Sequence, residues 1–160
     1  MRRFQHGLGA IAAIMVLVIL AALSAAIVSF STGQHMASAQ DVLASRAWQV
    51  ASAGTEGGLY RALRSATCDT QTWTSTDDPA FRVTVACSAL TYKDGERFNV
   101  AVPPTLTFRQ LRVFNVVATA CNGSAATCPD NAAAAGIGYV ERQRIAVAYC
   151  EWSGVACTGP

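Results

Sequence analysis

The chain has 160 residues, a length typical of a single domain. Its formal net charge of +2 comes from Arg2 and Arg3, because the basic and acidic side chains of the rest of the sequence balance. A chain without a basic surplus lacks the charge that nucleic-acid binding usually requires, so no nucleic-acid partner is expected.

An uncharged, apolar stretch of 23 residues runs from Leu8 to Phe30. A helix of this length is roughly 35 Å long, which is enough to cross the hydrocarbon core of a bilayer. Arg2 and Arg3 precede the stretch, and an excess of Lys and Arg usually stays on the cytoplasmic side. The sequence therefore predicts a leader at 1–7, a membrane-spanning helix half at 8–30 and a cytoplasmic N-terminus.

Residues 31–65 are expected to continue this helix as an amphipathic half. Small and apolar residues recur every three or four positions, which is typical of one face of a helix; they are Met36, Ala39, Leu43, Ala47, Val50 and Gly54. The pair Gly57-Gly58 weakens the helix by about 1 kcal/mol per glycine relative to alanine. The helix is predicted to end between Leu63 and Ser65, with one face available for packing on a head domain.

The head, residues 66–160, changes to the alternating pattern of β-strands. Alternation from Phe81 to Cys87 predicts a strand with one buried face. Lys93–Glu96 is typical of a hairpin turn, and Phe98, Val100 and Val102 predict a further strand that Pro103-Pro104 stops.

Two more strands complete the predicted head. One lies within Thr107–Ala120, and the last runs from Tyr139 to Cys150, with Ile145, Val147 and Tyr149 on one face and Arg142 and Arg144 on the other. The predicted fold class is α+β: a long N-terminal helix packed on a small sheet of about four antiparallel strands.

Six cysteines lie after the membrane segment: Cys68, Cys87, Cys121, Cys128, Cys150 and Cys157. An even number on one side of a membrane indicates disulfides in an oxidising compartment. The pairs 68–87, 121–128 and 150–157 are predicted, and other pairings stay open. A metal site is not expected, because no Cys-x-x-Cys occurs and His6 and His35 both lie near the membrane segment.

Catalysis is not expected from this sequence. Both histidines flank the membrane segment, and Glu141 and Glu151 have no obvious partner. Neither a phosphate-binding loop nor a pair of spaced carboxylates is visible, so the chain is interpreted as a non-enzyme without a cofactor. Trp48 is expected to pack, whereas Trp73, in a threonine-rich loop, is the better candidate for an exposed aromatic ring.

The N-terminus can also be interpreted as an ordinary export signal. Ala37-Ser38-Ala39 before Gln40 is similar to a signal-peptidase site, but the apolar stretch is longer than the usual 7–15 residues of such signals. A twin-arginine signal or an uncleaved membrane anchor would also place an apolar segment at this end of the chain.

A short basic leader that ends in glycine directly before an apolar helix resembles a type IV prepilin. In that family a prepilin peptidase cuts after the glycine and methylates the new N-terminus, which implies Gly7 and Leu8 here. The stretch from Arg46 to Leu63 resembles the MshP family of minor pilins of the mannose-sensitive haemagglutinin (MSHA) pilus. Cys68, the strand Phe81–Cys87 and the segment Tyr139–Gln143 also resemble that family. The last four cysteines lie outside that pattern.

This resemblance implies a pilin-like fold and a structural role in pilus assembly. The implied partners are other pilin subunits, the prepilin peptidase and, before assembly, the bacterial inner membrane, with a periplasmic head that later reaches the cell surface, where such pili serve adhesion. One residue departs from the family: most pilins have Glu at the fifth mature position, where this chain has Ala12. The departure favours a minor subunit, at the tip of the filament, over a major pilin.

The competing hypothesis from another class is a bitopic inner-membrane protein whose periplasmic domain binds a ligand or an adhesion target and never polymerises. The two hypotheses differ in the mature N-terminus. A methylated Leu8 indicates the pilin, an intact Met1 the anchored protein, and a start at Gln40 an ordinary secreted protein.

Overall fold

A computed structural model describes residues 6–100, 103 and 105–158 of the chain. Arg2, Arg3, Val102 and Pro104, which figure in the sequence predictions, lie outside the described residues. The chain forms two compact units, 1–41 and 42–160.

One helix, α1, runs from His6 to Arg64. In the first unit every side chain from Gly9 to Ser31 is exposed. This part has a window of mean hydropathy 3.0, so by length and composition it could span a membrane. The coarse expectation of an N-terminal apolar helix long enough for a bilayer is therefore confirmed.

The C-terminal end of α1 agrees with the sequence prediction. After Arg64, the backbone N–H groups of Ser65 and Thr67 both donate to the carbonyl of Arg61, at 3.0 and 3.2 Å. Ala66 then adopts a positive φ of 55°, a conformation that ends helices. Arg61 and Arg64 lie in the last turn, where positive charge is favourable beside the helix dipole.

The second unit contains one antiparallel sheet with the strand order β1-β2-β3-β4-β5. The strands are β1 (Gln71–Thr74), β2 (Arg82–Asn99), β3 (Thr105–Cys121), β4 (Glu141–Trp152) and β5 (Cys157–Thr158). Together with the last part of α1 they give the α+β class that the sequence predicted. The sheet has five strands where about four were expected, because β1 and β5 were not predicted and two of the predicted strands are parts of β2.

The predicted hairpin turn at Lys93–Glu96 is wrong. Residues 82–99 form one continuous strand, and the register against β3 shifts between Lys93 and Glu96. Gly95 has a φ of +72°, which the bulge accommodates. The segment containing Phe98 is therefore the end of β2 and not a separate strand.

The core lies between the last part of α1 and the inner face of the sheet. Its largest fully buried side chains are those of Phe81, Phe114, Val83 and Val116. From α1 it receives small residues, among them Ala47, Ala51 and Ala62, all with 0% exposure. The predicted small-residue face of the helix is thus the face that packs on the sheet.

The alternation predicted for β4 is confirmed, but its apolar side faces solvent. Ile145, Val147 and Tyr149 are exposed, whereas Cys150 is buried beside Ala62.

The two tryptophans are the reverse of what was expected, which was packing for Trp48 and exposure for Trp73. Trp48 is 48% exposed, and Trp73 packs against the core cluster beneath α1.

Candidate functional site

The N-terminal part of α1 is the first candidate site. Gly7 and Leu8 lie at the start of this helix, although the structure does not describe their side chains. Ala12 is exposed on the helix surface. These positions follow one another on a single helix, as the sequence predicted.

The surface of this helix part is apolar on every side. Large side chains between residues 9 and 31 are 50–77% exposed, and they are Ile11, Ile14, Met15, Val16, Leu17, Val18, Ile19, Leu20, Leu23, Ile27, Val28 and Phe30. The hydroxyl of Ser24 donates to the carbonyl of Leu20 at 2.8 Å, which satisfies a polar group without water. A helix with no polar side is stable in lipid or among other apolar helices.

The absence of a carboxylate at Ala12 has a direct electrostatic consequence. A charged side chain in the membrane interior costs a few kcal/mol unless it is paired. Ala12 carries no charge, so this turn of the helix has neither that cost nor a carboxylate that could accept a hydrogen bond.

The second candidate feature is the close contact of α1 with the sheet. A Cβ on Gly54 would lie 2.7 Å from Cγ2 of Val83, and one on Gly58 would lie 2.7 Å from Cγ1 of Val116. These distances are shorter than side-chain carbon contacts allow, so both positions need glycine. The spacing of four residues places both glycines on the same side of the helix.

Three disulfides stabilise the head, and they join the pairs that the sequence predicted. Cys68–Cys87 ties the chain just after α1 to β2. Cys121–Cys128 closes the loop at the end of β3, and Cys150–Cys157 joins β4 to β5. Each bridge fastens an element boundary, where a small core would otherwise be loosest.

The loop after β3 is organised around the carboxylate of Asp130, which is 4% exposed. The carboxylate accepts backbone N–H groups from Ala125 at 2.9 Å and from Ala132 and Ala133 at 3.2 Å each. Chiefly because of the Ala125 contact, and against the opposing effect of burial, the pKa of Asp130 lies below its ordinary value of 3.8. Gly123 has no room for a side chain here, since a Cβ at this position would overlap the Asp130 carboxylate.

Tyr139 completes this polar network. Its hydroxyl donates to Glu141 Oε2 at 2.6 Å and accepts the backbone N–H of Asp130 at 3.1 Å. Burial, reinforced by the Glu141 contact, raises the pKa of Tyr139 above its ordinary 10.0. These contacts join the loop to β4, and no buried side-chain N or O atom among the described residues lacks a partner.

A groove of about 650 Å³ lies between α1 and the loop after β1. Its charged lining groups include Arg46 and Asp78, which form an exposed ion pair at 3.4 Å. Trp73 also lines the groove. The groove therefore combines an aromatic ring with two charged groups that already form an ion pair with each other.

Compared with known proteins, the chain matches no family model, no curated protein and no solved structure. The functional interpretation therefore depends on the residues of this chain and on their geometry.

Two features of the head were not predicted from the sequence. Asp130 belongs to no sequence motif. Its role in holding the loop follows only from the three backbone N–H groups that donate to its carboxylate. The apolar surface formed by Phe98, Leu106 and Phe108 was missed because the predicted turn at Lys93–Glu96 separated two segments that belong to one long hairpin.

Proposed function

We propose that this chain is a minor pilin, a non-catalytic structural subunit of a type IV, MSHA-like pilus. The observation that carries the proposal is α1. It is one helix from His6 to Arg64, apolar on all sides in its first part and packed through small residues on a sheet in its last part. Such a helix suits a subunit that is stored in lipid and later bundled with other apolar helices in a fibre.

In this proposal the prepilin peptidase cuts between Gly7 and Leu8 and methylates the new N-terminus. The mature subunit waits in the inner membrane with its head in the periplasm. Extraction then exchanges lipid for the helices of other pilin subunits around residues 8–30. The three disulfides suit this route, because a head that passes through an oxidising compartment can be locked before assembly.

Ala12 supports the minor role. A subunit without a carboxylate at this position offers no charge partner to an incoming terminal amine, so it is poorly suited to repeated addition. A place at the tip of the filament, with no subunit recruited through Ala12, is consistent with this chemistry.

The competing function, a bitopic binding or adhesion protein that does not polymerise, is favoured by the same Ala12 and by the groove beside Trp73. The two proposals differ in where the mature chain is found. Only the pilin leaves the inner membrane.

Shearing surface fibres from cells and probing them for this chain tests the proposal. We expect the chain in the fibre fraction, and we expect Gly7→Glu to remove it from that fraction by blocking cleavage. Gly9→Ala is the matched control, because nothing lies within 4 Å of a Cβ at Gly9. Wild-type chain confined to the inner membrane of fibre-bearing cells would favour the non-polymerising protein.

A further inference from the structure

The face of the sheet opposite α1, called the outer face here, carries an uncharged apolar patch. The register of the three long strands sets its side chains in rows, with one residue each from β2, β3 and β4. Three consecutive rows contain no charged residue: Ala86 with Val117 and Ile145, Ser88 with Asn115 and Val147, and Leu90 with Val113 and Tyr149. These nine residues are called the outer patch.

The large apolar side chains of the outer patch face solvent. Leu90, Val147 and Tyr149 are 64%, 64% and 68% exposed, and Ile145 is 59% exposed. Tyr92, which borders the patch in the next row, is 52% exposed. Because these side chains lie side by side on the same face, they form one continuous apolar surface and not a set of scattered apolar residues.

Polar and charged residues bound the outer patch at both ends. At one end the loop after β3 lies on the outer face, where the backbone N–H of Cys128 donates to Thr84 Oγ1 at 2.8 Å. At the other end Glu151 forms ion pairs with Arg97 and Arg109. An apolar surface with a polar rim is typical of a protein interface, and a rim with charges of both signs differs from the basic surfaces that bind anionic lipid.

The area of the outer patch matches one side of a stable protein interface. Together with Tyr92, its large side chains expose roughly 700 Å², and standard interfaces bury about 800 Å² on each partner. The largest apolar patch of a typical monomer is about 300–600 Å². The outer patch is therefore large enough for specific association with a protein surface of its own size.

Asn115 lies at the centre of the outer patch, in the middle row and on the middle strand. It is exposed, and its side-chain amide has no hydrogen-bond partner among the described residues. An entirely apolar partner would bury this amide without a hydrogen bond, which is unfavourable. Because an amide both donates and accepts, the Asn115 amide of a second copy is a suitable partner.

A twofold axis at Asn115 brings the two amides together, because residues on such an axis face their own copies. Stacked sheets lie about 10 Å apart, a gap that two facing asparagine side chains span with a hydrogen bond between their amides. Thr84, beside the loop, and Tyr92, at the uncovered end, each lie four residues from Ser88 in the central row. An axis that runs across the strands therefore places the loop of each copy over the uncovered end of the other.

We propose that the outer patch is the docking surface for a second copy of this chain, packed sheet to sheet about a twofold axis at Asn115. Three observations favour a second copy: the area of the patch, its lack of charge and the self-complementary amide at its centre. The inference goes beyond the proposed function and does not depend on it. The patch lies entirely on the disulfide-bonded head, which a pilin and an anchored binding protein would have in common.

Photo-crosslinking of the purified full-length chain in detergent tests the docking surface. Tyr149 is replaced by p-benzoylphenylalanine, which keeps an aromatic ring in the patch. Tyr60 receives the same replacement as the matched control, because it is 67% exposed but lies on α1. Each variant is mixed with isotope-labelled wild-type chain and irradiated, and mass spectrometry then identifies the crosslinked peptides.

The twofold arrangement places Tyr149 opposite Ile145 of the second copy. We expect the Tyr149 variant to crosslink to the labelled β4 near Ile145, and the Tyr60 variant to give no crosslink to the outer patch. Absence of an intermolecular crosslink from Tyr149, a crosslink to the labelled α1 or only to detergent, or an equal yield of patch crosslinks from Tyr60 would overturn the proposal. Because no fibre is needed, each of these results leaves the pilin role to its own test.

A charge in the patch gives a second, independent test. Val147→Arg should weaken self-association of the full-length chain at least tenfold, because the interface would bury an unpaired charge. Val155→Arg is the matched control, since Val155 is 82% exposed outside the patch, and it should leave the dissociation constant unchanged. Analytical ultracentrifugation in detergent measures both, and unfolding midpoints show that the variants are folded. A wild type that stays monomeric, or a folded Val147→Arg that associates as the wild type does, would overturn the proposal.

Asn115→Asp tests the position of the axis. The substitution keeps the size of the side chain and sets two carboxylates against each other across the twofold, so we expect self-association to weaken about tenfold or more at neutral pH. The same ultracentrifugation experiment measures it. A dissociation constant that this substitution leaves unchanged would overturn the twofold at Asn115.

Discussion

Gly58 lies so close to Val116 that a Cβ on this glycine would come within 2.7 Å of Val116 Cγ1. Cγ1 of Val85 would lie 2.8 Å from the same Cβ. The helix therefore contacts the sheet through its backbone at this position. The distance between α1 and the sheet, and therefore the packing of the core, depends on glycine at position 58.

Gly58→Ala is expected to destabilise the head by about 1–3 kcal/mol, the usual cost of overpacking, despite a gain in helix propensity of up to about 1 kcal/mol. Gly57→Ala is the matched control, because its nearest neighbours, two carbons of Trp73, lie at 3.7 Å, an ordinary contact. Urea unfolding of the full chain in detergent measures both. Equal stability of the two variants would show that the close contact at Gly58 does not exist.

Removing one disulfide tests how much the head depends on them. The double variant Cys68→Ser with Cys87→Ser frees the junction between α1 and β2 without leaving an unpaired thiol. With a sequence separation of 19 between the two positions, the chain-entropy model gives a loss of about 3 kcal/mol in the free energy of unfolding. An unchanged unfolding midpoint, measured under oxidising conditions, would mean that the bridge is not formed in the protein.

The lowered pKa of Asp130 predicts that the folded head loses stability in acid. Its pKa is lowered in the folded chain, so its contribution is present at pH values above the ordinary 3.8 and is lost as the pH falls through the folded value. We expect Asp130→Asn to be less stable than the wild type near neutral pH, with the difference shrinking below about pH 4. Unfolding midpoints across this range measure it. A difference that stays constant with pH would contradict an ionised, hydrogen-bonded Asp130.

Ala12→Glu tests the minor role. A glutamate at this position supplies a carboxylate for a neighbouring terminal amine, so we expect fibres to form and to contain more of this subunit per unit of fibre than with the wild type. Ala13→Glu is the control: it carries the same cost of a few kcal/mol for a charge in the membrane, on an adjacent face of the helix. Quantitative mass spectrometry of sheared fibres gives the ratio. Complete loss of fibres with Ala12→Glu alone would count against the interpretation.

The sequence correctly predicted the features that depend on residues close together in the chain. The end of α1 near Arg64 follows from the polar residues and turn chemistry after it, and the small-residue face around Ala47 and Gly54 follows from helical spacing. The short cysteine separations likewise predicted the two pairs that close loops within the head, and Cys68–Cys87 was also predicted.

Features set by long-range packing could not be predicted in the same way. Asp94-Gly95 is a strong turn signal, but pairing with β3 on both sides of it converts the turn into a bulge. Alternation in β4 identifies two faces without saying which is buried. Because α1 packs so closely, the face with Ala146, Ala148 and Cys150 is the inner one, and the larger Tyr149 side chain lies outside.

The central claim is that α1 is a polymerisation helix exposed by cleavage of a short leader. Mass spectrometry of the mature N-terminus, on chain purified from membranes and from sheared fibres, tests this claim most directly. We expect a chain that begins at Leu8 with a methylated amine. A mature chain that retains Met1, or one that begins at Gln40, would contradict it.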